Sequence, residues 1–236
     1  MSGRLPIVAI DGPAGAGKST VTRRVAKELG YFVLDTGALY RCVALAALRA
    51  QVSFENEALV SQIAADLAVR NAVAFLPDPE QGQAVLLNGD DITLAIRSQH
   101  ISDGASRVSA LPGVREALLE LQRGIGRSGG VVVEGRDIGS VVFPRAEAKF
   151  FLTATAEERA RRRHAELVAR GSAADLDAIL REVRERDTRD MTRAVAPLVQ
   201  TADAVVIDSS ALGIDDVVKV IVSHVLQIVA GLRDAL

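Results

Sequence analysis

The run Ile7-Val8-Ala9-Ile10-Asp11-Gly12-Pro13-Ala14-Gly15-Ala16-Gly17-Lys18-Ser19-Thr20 decides the fold of this chain. Ile7 to Ile10 are apolar or small and read as a short buried strand. Gly12 to Ser19 fits G-x-x-x-x-G-K-[S/T] without a mismatch, and Val21 to Leu29 continue with helical spacing and no breaker. Strand, glycine loop and helix in that order are the context of a phosphate-binding loop. Glycines let the backbone wrap closely and aim its N–H groups inward, and the helix N-terminus adds positive partial charge. Gly12, Pro13, Ala14, Gly15, Ala16, Gly17, Lys18, Ser19 and Thr20 are therefore the candidate nucleotide-binding set. Lys18 would reach the β- and γ-phosphates, and Ser19 would offer its hydroxyl to Mg²⁺.

Outward from the loop, strand-like runs alternate with helical ones. The strands are Val8–Ile10, Phe32–Leu34, Val131–Val133, Lys149–Leu152 and Val205–Ile207. Helical spacing occurs at Ser19–Leu29, Ala38–Ala50, Arg115–Arg123, Ala156–Arg170, Leu176–Asp190 and Asp215–Val229. This alternation predicts an α/β fold with a parallel sheet covered by helices on both faces. Sites in open α/β sheets lie at the carboxyl ends of strands, where Asp35, Glu134 and Asp208 also follow theirs. Residues 53–98 break the pattern. Glu55–Leu67 reads as a helix, while Val69–Leu76 and Ala84–Leu87 read as strands split by the polar turn Pro77 to Gly82. Asn88-Gly89 is a hairpin signal. An inserted subdomain of helix plus antiparallel strands is the expectation.

Composition bounds the function. At 236 residues the chain suits one large domain or a core with an insert. The net charge of −2 argues against a general nucleic-acid binder. The one cysteine, Cys42, lies in an apolar helical stretch and reads as a small core residue, with no disulfide framework possible. His100, His164 and His224 are scattered without H-x-x-x-H spacing, so no zinc site is indicated. Val217 to Leu232 is apolar but carries Lys219, His224 and Gln227, which fits an amphipathic surface helix better than a membrane span. With a strand beginning at Ile7, no secretory leader is expected, and a cytoplasmic protein without membrane partners follows.

Lys18, Lys27, Lys149 and Lys219 are the only lysines, so nearly all cations are arginines. Arg159, Arg161, Arg162, Arg163, Arg170, Arg181, Arg184, Arg186, Arg189 and Arg193 crowd the stretch from Glu157 to Arg193. Interspersed Asp and Glu would make a salt-bridged, solvated face. Yet arginine forks suit phosphate oxygens, and a mobile arginine-rich lid between two helices fits this position.

Three further motifs follow the loop in order. They are Asp35-Thr36-Gly37-Ala38-Leu39-Tyr40-Arg41, Glu134-Gly135-Arg136-Asp137-Ile138-Gly139, and Arg186-Asp187-Thr188-Arg189-Asp190-Met191-Thr192-Arg193 continuing to Leu198. With the glycine loop they resemble the bacterial cytidylate kinase family, over Ile7 to about Val218. Thr36 and Glu134 stand where other members can show Ser and Asp. The resemblance implies a phosphate-loop kinase that moves the γ-phosphoryl group of ATP, with Mg²⁺, to CMP or dCMP. Its organisation would be a single domain over 1–236: a core of 1–52, 99–158 and 194–236, a monophosphate-binding insert of 53–98, and a lid over 159–193. Arg41, Arg136 and Arg193 would hold the monophosphate. Arg186 and Asp190 would contact the ribose. Ser106, Arg115 and Asp137 would read the cytosine edge, and Tyr40 and Thr36 would lie near the acceptor. Lys18, Arg136, Asp137 and Arg193 would carry catalysis. A monomer is the expectation for a kinase that closes two flaps.

The chemistry supports these roles independently. Cytosine offers O2 and N3 as acceptors and its N4 amino group as donor, so reading it needs a cationic or hydroxyl donor plus a carboxylate. Uracil puts an oxygen where N4 was, and burying that mismatch costs roughly 1–3 kcal/mol. CMP would then be preferred over UMP by about tenfold to a few hundredfold. The acceptor is an ionised phosphate oxygen, so no general base is required. Positioning and charge neutralisation can carry the reaction. A kinase for another small acceptor would differ chiefly at Ser106, Arg115 and Asp137. A nucleotide-dependent switch is disfavoured by the missing N-K-x-D guanine motif.

Overall fold

A computed structural model describes residues 4–78, 82–169 and 171–234. Pro79, Glu80 and Gln81 of the expected turn, and Arg170 of the arginine run, lie outside the described residues. The chain divides into two compact units, Met1–Phe32 with Ser128–Leu236, and Val33–Arg127.

In the first unit β1 (Ile7–Asp11) is buried along its whole length. Strands buried on both faces read as continuous apolar runs. It pairs in parallel with β6 (Val131–Gly135) on one side and β7 (Ala148–Thr153) on the other, and β7 pairs in parallel with β8 (Val205–Asp208). With β2 (Phe32–Asp35) the sheet runs β2-β6-β1-β7-β8. β2 enters at Phe32, whose N–H donates to Gly130 O at 2.9 Å. Helices α1 (Lys18–Leu29), α6 (Ala156–Ala169), α7 (Leu176–Thr192) and α8 (Ile214–Asp234) belong to this unit. Val217, Val218, Ile221 and Val225 give α8 one buried face, while Val220 and Leu226 remain exposed. No helix of the described residues is long and apolar enough to cross a membrane.

In the second unit a separate apolar core gathers α2 (Thr36–Arg49), α3 (Glu57–Val69), α4 (Gln99–Val108) and α5 (Pro112–Gly126). Cys42 lies fully buried in it, and burial pushes its thiol up to about 12. The expected hairpin is present: β3 (Val73–Asp78) pairs antiparallel with β4 (Gly82–Leu87). Asn88 and Gly89, both at positive φ, then turn β4 into a two-residue β5 (Asp90–Asp91). Asn-Gly suits this turn because both central residues need the left-handed region.

Several expected boundaries move for local reasons. The strand predicted from Val69 starts at Val73, because α3 runs through Val69 and stops at Asn71, which takes a left-handed φ of 48°. α3 itself starts at Glu57, not Glu55, since the Asn56 side chain caps it by accepting from Leu59 N. α5 starts three residues before Arg115, with Pro112 at its first position. Proline's fixed φ is pre-organised there and its missing N–H is not needed. α4, the short 3₁₀ turn Ala95–Arg97 and a five-residue π-helical stretch, Ile138–Val142, have no counterpart among the sequence expectations.

Candidate active site

In the first unit β1 passes directly into the glycine loop. Gly12 has φ of 148°, and a Cβ there would stand 1.9 Å from Leu152 O, so only glycine lets the loop leave the sheet this close to β7. Gly17, at φ 91°, turns the chain into α1. Lys18 is buried, and its Nζ donates to Gly12 O and Pro13 O, both at 2.7 Å. Burial, followed by the positive charge of Arg136, lowers its pKa well below the usual lysine value; Glu134, Asp190 and Asp11 oppose that shift. Ser19, the next residue of α1, donates its hydroxyl to Glu134 Oε2 at 2.9 Å.

The loop is braced from behind by Arg159 of α6. This guanidinium is almost fully buried and uses its whole fork. Nε donates to Ala154 O at 2.9 Å, and Nη1 reaches the loop at Ala14 O, 3.1 Å away. Nη1 and Nη2 hold both carboxylate oxygens of Asp187 on α7, at 2.9 and 2.6 Å. Arg162, one turn further along α6, donates to Ser209 Oγ and O, and Ser209 in turn donates to Ala16 O at 3.3 Å. Two arginines of the arginine-rich run thus serve as struts around the loop.

Beyond the carboxyl end of β6, Arg136 Nε donates to Asp190 Oδ2 at 2.8 Å. Arg193, at the end of α7, donates from Nη2 to Asp137 Oδ1 at 3.3 Å and from Nε to Ala196 O at 2.7 Å. Arg186 precedes Asp190 by one helical turn. Burial works to raise the Asp190 pKa, but Arg136, Arg186 and Arg193 outweigh it and hold the carboxyl below its usual range. The unit therefore brings together Lys18, Ser19, Glu134, Arg136, Asp137, Arg186, Asp190 and Arg193. This assembly has a residue that sequence reasoning passed over. Asp11 is buried at the end of β1 and accepts from Ile138 N at 2.8 Å and Gly139 N at 2.7 Å. Burial, first, and the charge of Asp137 raise its pKa to about 6. Its place immediately before Gly12 was the available signal.

The second unit carries the other predicted residues. Asp35 caps α2 by accepting from Ala38 N at 3.1 Å, and its other oxygen accepts from Arg41 Nη2 at 2.6 Å. Thr36 and Tyr40 are buried on α2, and the Arg115 guanidinium lies over the Tyr40 ring, 5.6 Å from its centroid. That distance allows a cation–π attraction. Arg115 also donates to Ser109 O at 3.1 Å. The Ser106 hydroxyl is buried with no hydrogen-bond partner among the described residues. A buried polar group in that state calls for an explanation, and a ligand is one.

A glycine loop with its lysine at the end of the first strand, in a parallel sheet ordered β2-β6-β1-β7-β8, defines a phosphate-loop kinase. The cytidylate kinase family model matches residues 8–227. Curated cytidylate kinases are similar throughout: that of Shewanella loihica is 50% identical over 96% of this chain and 97% of its own length. That of Pseudomonas aeruginosa is 49% identical over 95% of this chain and 96% of its own. The chain belongs to the cytidylate kinase family, whose members are ATP-dependent nucleoside monophosphate kinases.

Proposed function

We propose that the chain transfers the γ-phosphoryl group of ATP reversibly to CMP or dCMP, giving ADP and CDP or dCDP. The observation that carries this reading is that the donor loop and the arginine-bearing turn meet. Ser19, beside the donor-phosphate lysine, donates to Glu134 at the end of β6, and the turn that follows pairs Arg136 with Asp190 and Asp137 with Arg193.

The loop residues Gly12 to Thr20 would take the donor phosphates. Lys18 would leave the Gly12 and Pro13 carbonyls to reach them, exchanging two neutral acceptors for charged ones, which bind about twice as strongly. Arg41, Arg136 and Arg193 would hold the acceptor monophosphate, Arg186 and Asp190 the ribose, and Ser106, Arg115 and Asp137 the base, with Thr36 and Tyr40 shaping the acceptor site. The orphaned Ser106 hydroxyl and the Arg115–Tyr40 stack support the base assignment. The acceptor oxygen is already ionised, so these residues need only align it and neutralise charge as the phosphoryl group passes in line.

Mg²⁺ fits the donor set. The Ser19 hydroxyl and the Glu134 carboxylate are hard oxygen donors in mutual contact, the type this ion takes alongside phosphate oxygens and water. Those two residues would hold it, and it would supply charge neutralisation at the phosphates. The division into core, insert (53–98) and arginine-rich lid (159–193), and a monomeric cytoplasmic enzyme, belong to the same reading. Lid closure would exclude water and limit idle ATP hydrolysis.

The test is ADP release with Mg·ATP across CMP, dCMP, UMP, AMP and GMP. Turnover should be strongest with CMP or dCMP. ATP binding without turnover on any monophosphate would overturn the proposal.

A further inference from the structure

The turn that carries Arg136 and Asp137 has an unusual capping arrangement. Its π-helical stretch begins at Ile138, with Asp137 in the flanking position where an aspartate ordinarily accepts from the first free N–H groups. The Asp137 side chain makes no such cap. It faces Arg193 instead, and only its backbone carbonyl serves the turn, accepting from Val141 N at 2.9 Å and Val142 N at 3.1 Å. The cap comes from a residue 126 positions earlier. Asp11 takes both orphan donors, Ile138 N on one oxygen and Gly139 N on the other.

We infer that Asp11 is a positioning residue for acceptor recognition: by capping the 138–142 turn from β1, it releases the Asp137 side chain to read the base. The inference rests on the proposed CMP reading. Asp11 is suited to the task for three reasons. It ends a strand buried along its whole length and paired on both sides, so it is a rigid anchor. It lies immediately before Gly12, so one residue fixes the turn to the root of the donor loop. Both of its oxygens are used, which fixes the rotation of the turn as well as its distance. An ionised carboxylate receiving two backbone N–H bonds is also a strong partner.

The experiment compares kcat/KM for CMP and UMP in the full-length enzyme and three variants. Asp137→Asn removes the reader. Asp11→Asn places an NH₂ group against one of the two backbone donors. Asp11→Glu keeps the carboxylate but lengthens its arm by one methylene, displacing the clamp from the two N–H groups it holds. The CMP/UMP ratio should fall about tenfold or more in Asp137→Asn and Asp11→Asn, and about threefold in Asp11→Glu, since small misplacements near a reacting group are costly. In the double variant Asp11→Asn/Asp137→Asn the ratio should fall no further than in Asp137→Asn, because Asp11 acts through Asp137. An unchanged ratio in Asp11→Asn, or independent multiplicative losses in the double variant, overturns the inference while the CMP reading stands. An unchanged ratio in Asp137→Asn overturns the base assignment and the inference with it. If Asp11→Asn does not fold, Asp11→Glu decides: an unchanged ratio there is the refuting result.

Discussion

Replacing Arg159 by alanine should be among the most damaging single changes outside the substrate-contacting set. The side chain is 4% exposed and makes four hydrogen bonds: one within its own helix's approach, one to Ala14 O of the glycine loop, and two to Asp187. Asp187 is itself only partly exposed, so its charge would be left without a counterion in a poorly solvated place. Breaking such a pair by removing one partner costs about 3–5 kcal/mol. For a chain of this length each kcal/mol shifts Tm by about 2–4 °C, so a fall of about 6–20 °C is expected. Arg159→Met/Asp187→Leu, which removes both charges and keeps apolar volume, should recover most of that loss. Thermal unfolding by circular dichroism measures the stability, and steady-state kinetics measure KM for ATP, which should rise in both proteins because Ala14 O loses its donor. A fall of less than 3 °C in Arg159→Ala, or a double variant as unstable as the single ones added together, would refute the strut.

Lys18→Ala should lose at least about 10²–10³ in kcat, the usual consequence of removing one preorganised charge donor. Its Tm should not drop, because the lysine is buried at a cost to its own charge; normal turnover would refute the loop assignment. Arg41→Ala and Arg193→Ala should each raise KM for CMP more than KM for ATP, and equal effects on both substrates in initial-rate assays would argue against their acceptor role. Asp11 makes stability depend on pH: with a folded pKa near 6 against an ordinary 3.8, its favourable contribution is complete below pH 3.8 and lost as pH rises through 6. That loss amounts to about 3 kcal/mol, while Asp190, held low, loses its contribution in the opposite sense as pH falls below 3.8. Urea unfolding of wild type and Asp11→Asn at pH 4.5 and 7.5 should show a difference between the two proteins that changes with pH, and a constant difference would sink the assignment. Cys42, buried and with its thiol pushed up to about 12, should resist thiol reagents in the native protein and react only as denaturant opens the second unit. Rapid labelling without denaturant would contradict its burial.

The sequence was most legible where one residue type can satisfy the backbone. Gly12 could be assigned because its positive φ and close approach to Leu152 of β7 tolerate nothing larger, and Gly17 because its φ of 91° is left-handed. β1 and β6 were legible because burial on both faces leaves an uninterrupted apolar run. α4 was not, because its sequence QHISDGASRV carries Gly104 and only a short stripe, Ile101, Ala105 and Val108, broken by polar and small residues. The reason for that glycine is tertiary: a Cβ there would meet the Phe54 ring at 2.6 Å. Packing, which propensity does not record, makes this segment a helix. Ser98, which accepts from Ile101 N, was its one local signal. Candidate residues were legible by type and order, but their partners were not. That Asp137 would leave its own turn uncapped while Asp11 capped it from β1 depends on contacts between residues 127 and 128 positions apart, which no local window contains.

Those partners matter because the arginines proposed for the acceptor phosphate are only partly exposed. Each arginine assigned to the acceptor phosphate is matched with a carboxylate: Arg41 with Asp35, Arg136 with Asp190, and Arg193 with Asp137. A poorly solvated guanidinium without a counterion is destabilising, most of all for Arg193, whose side chain is 5% exposed. Pairing them internally keeps the site folded and its forks oriented. When a phosphate enters, each arginine exchanges one anion for another, and the desolvation of its charge need not be met a second time. The carboxylates released by that exchange include Asp190 and Asp137, the two assigned to the ribose hydroxyls and the base amino group, both hydrogen-bond donors. A phosphate without a nucleoside would leave these carboxylates unsatisfied, and a nucleoside without a phosphate would leave the arginines unsatisfied. On the proposed reading, the complete nucleoside monophosphate would offer an acceptor for each arginine and a donor for both Asp190 and Asp137. Selectivity for the whole acceptor would then arise from the pairing itself, beyond any single contact.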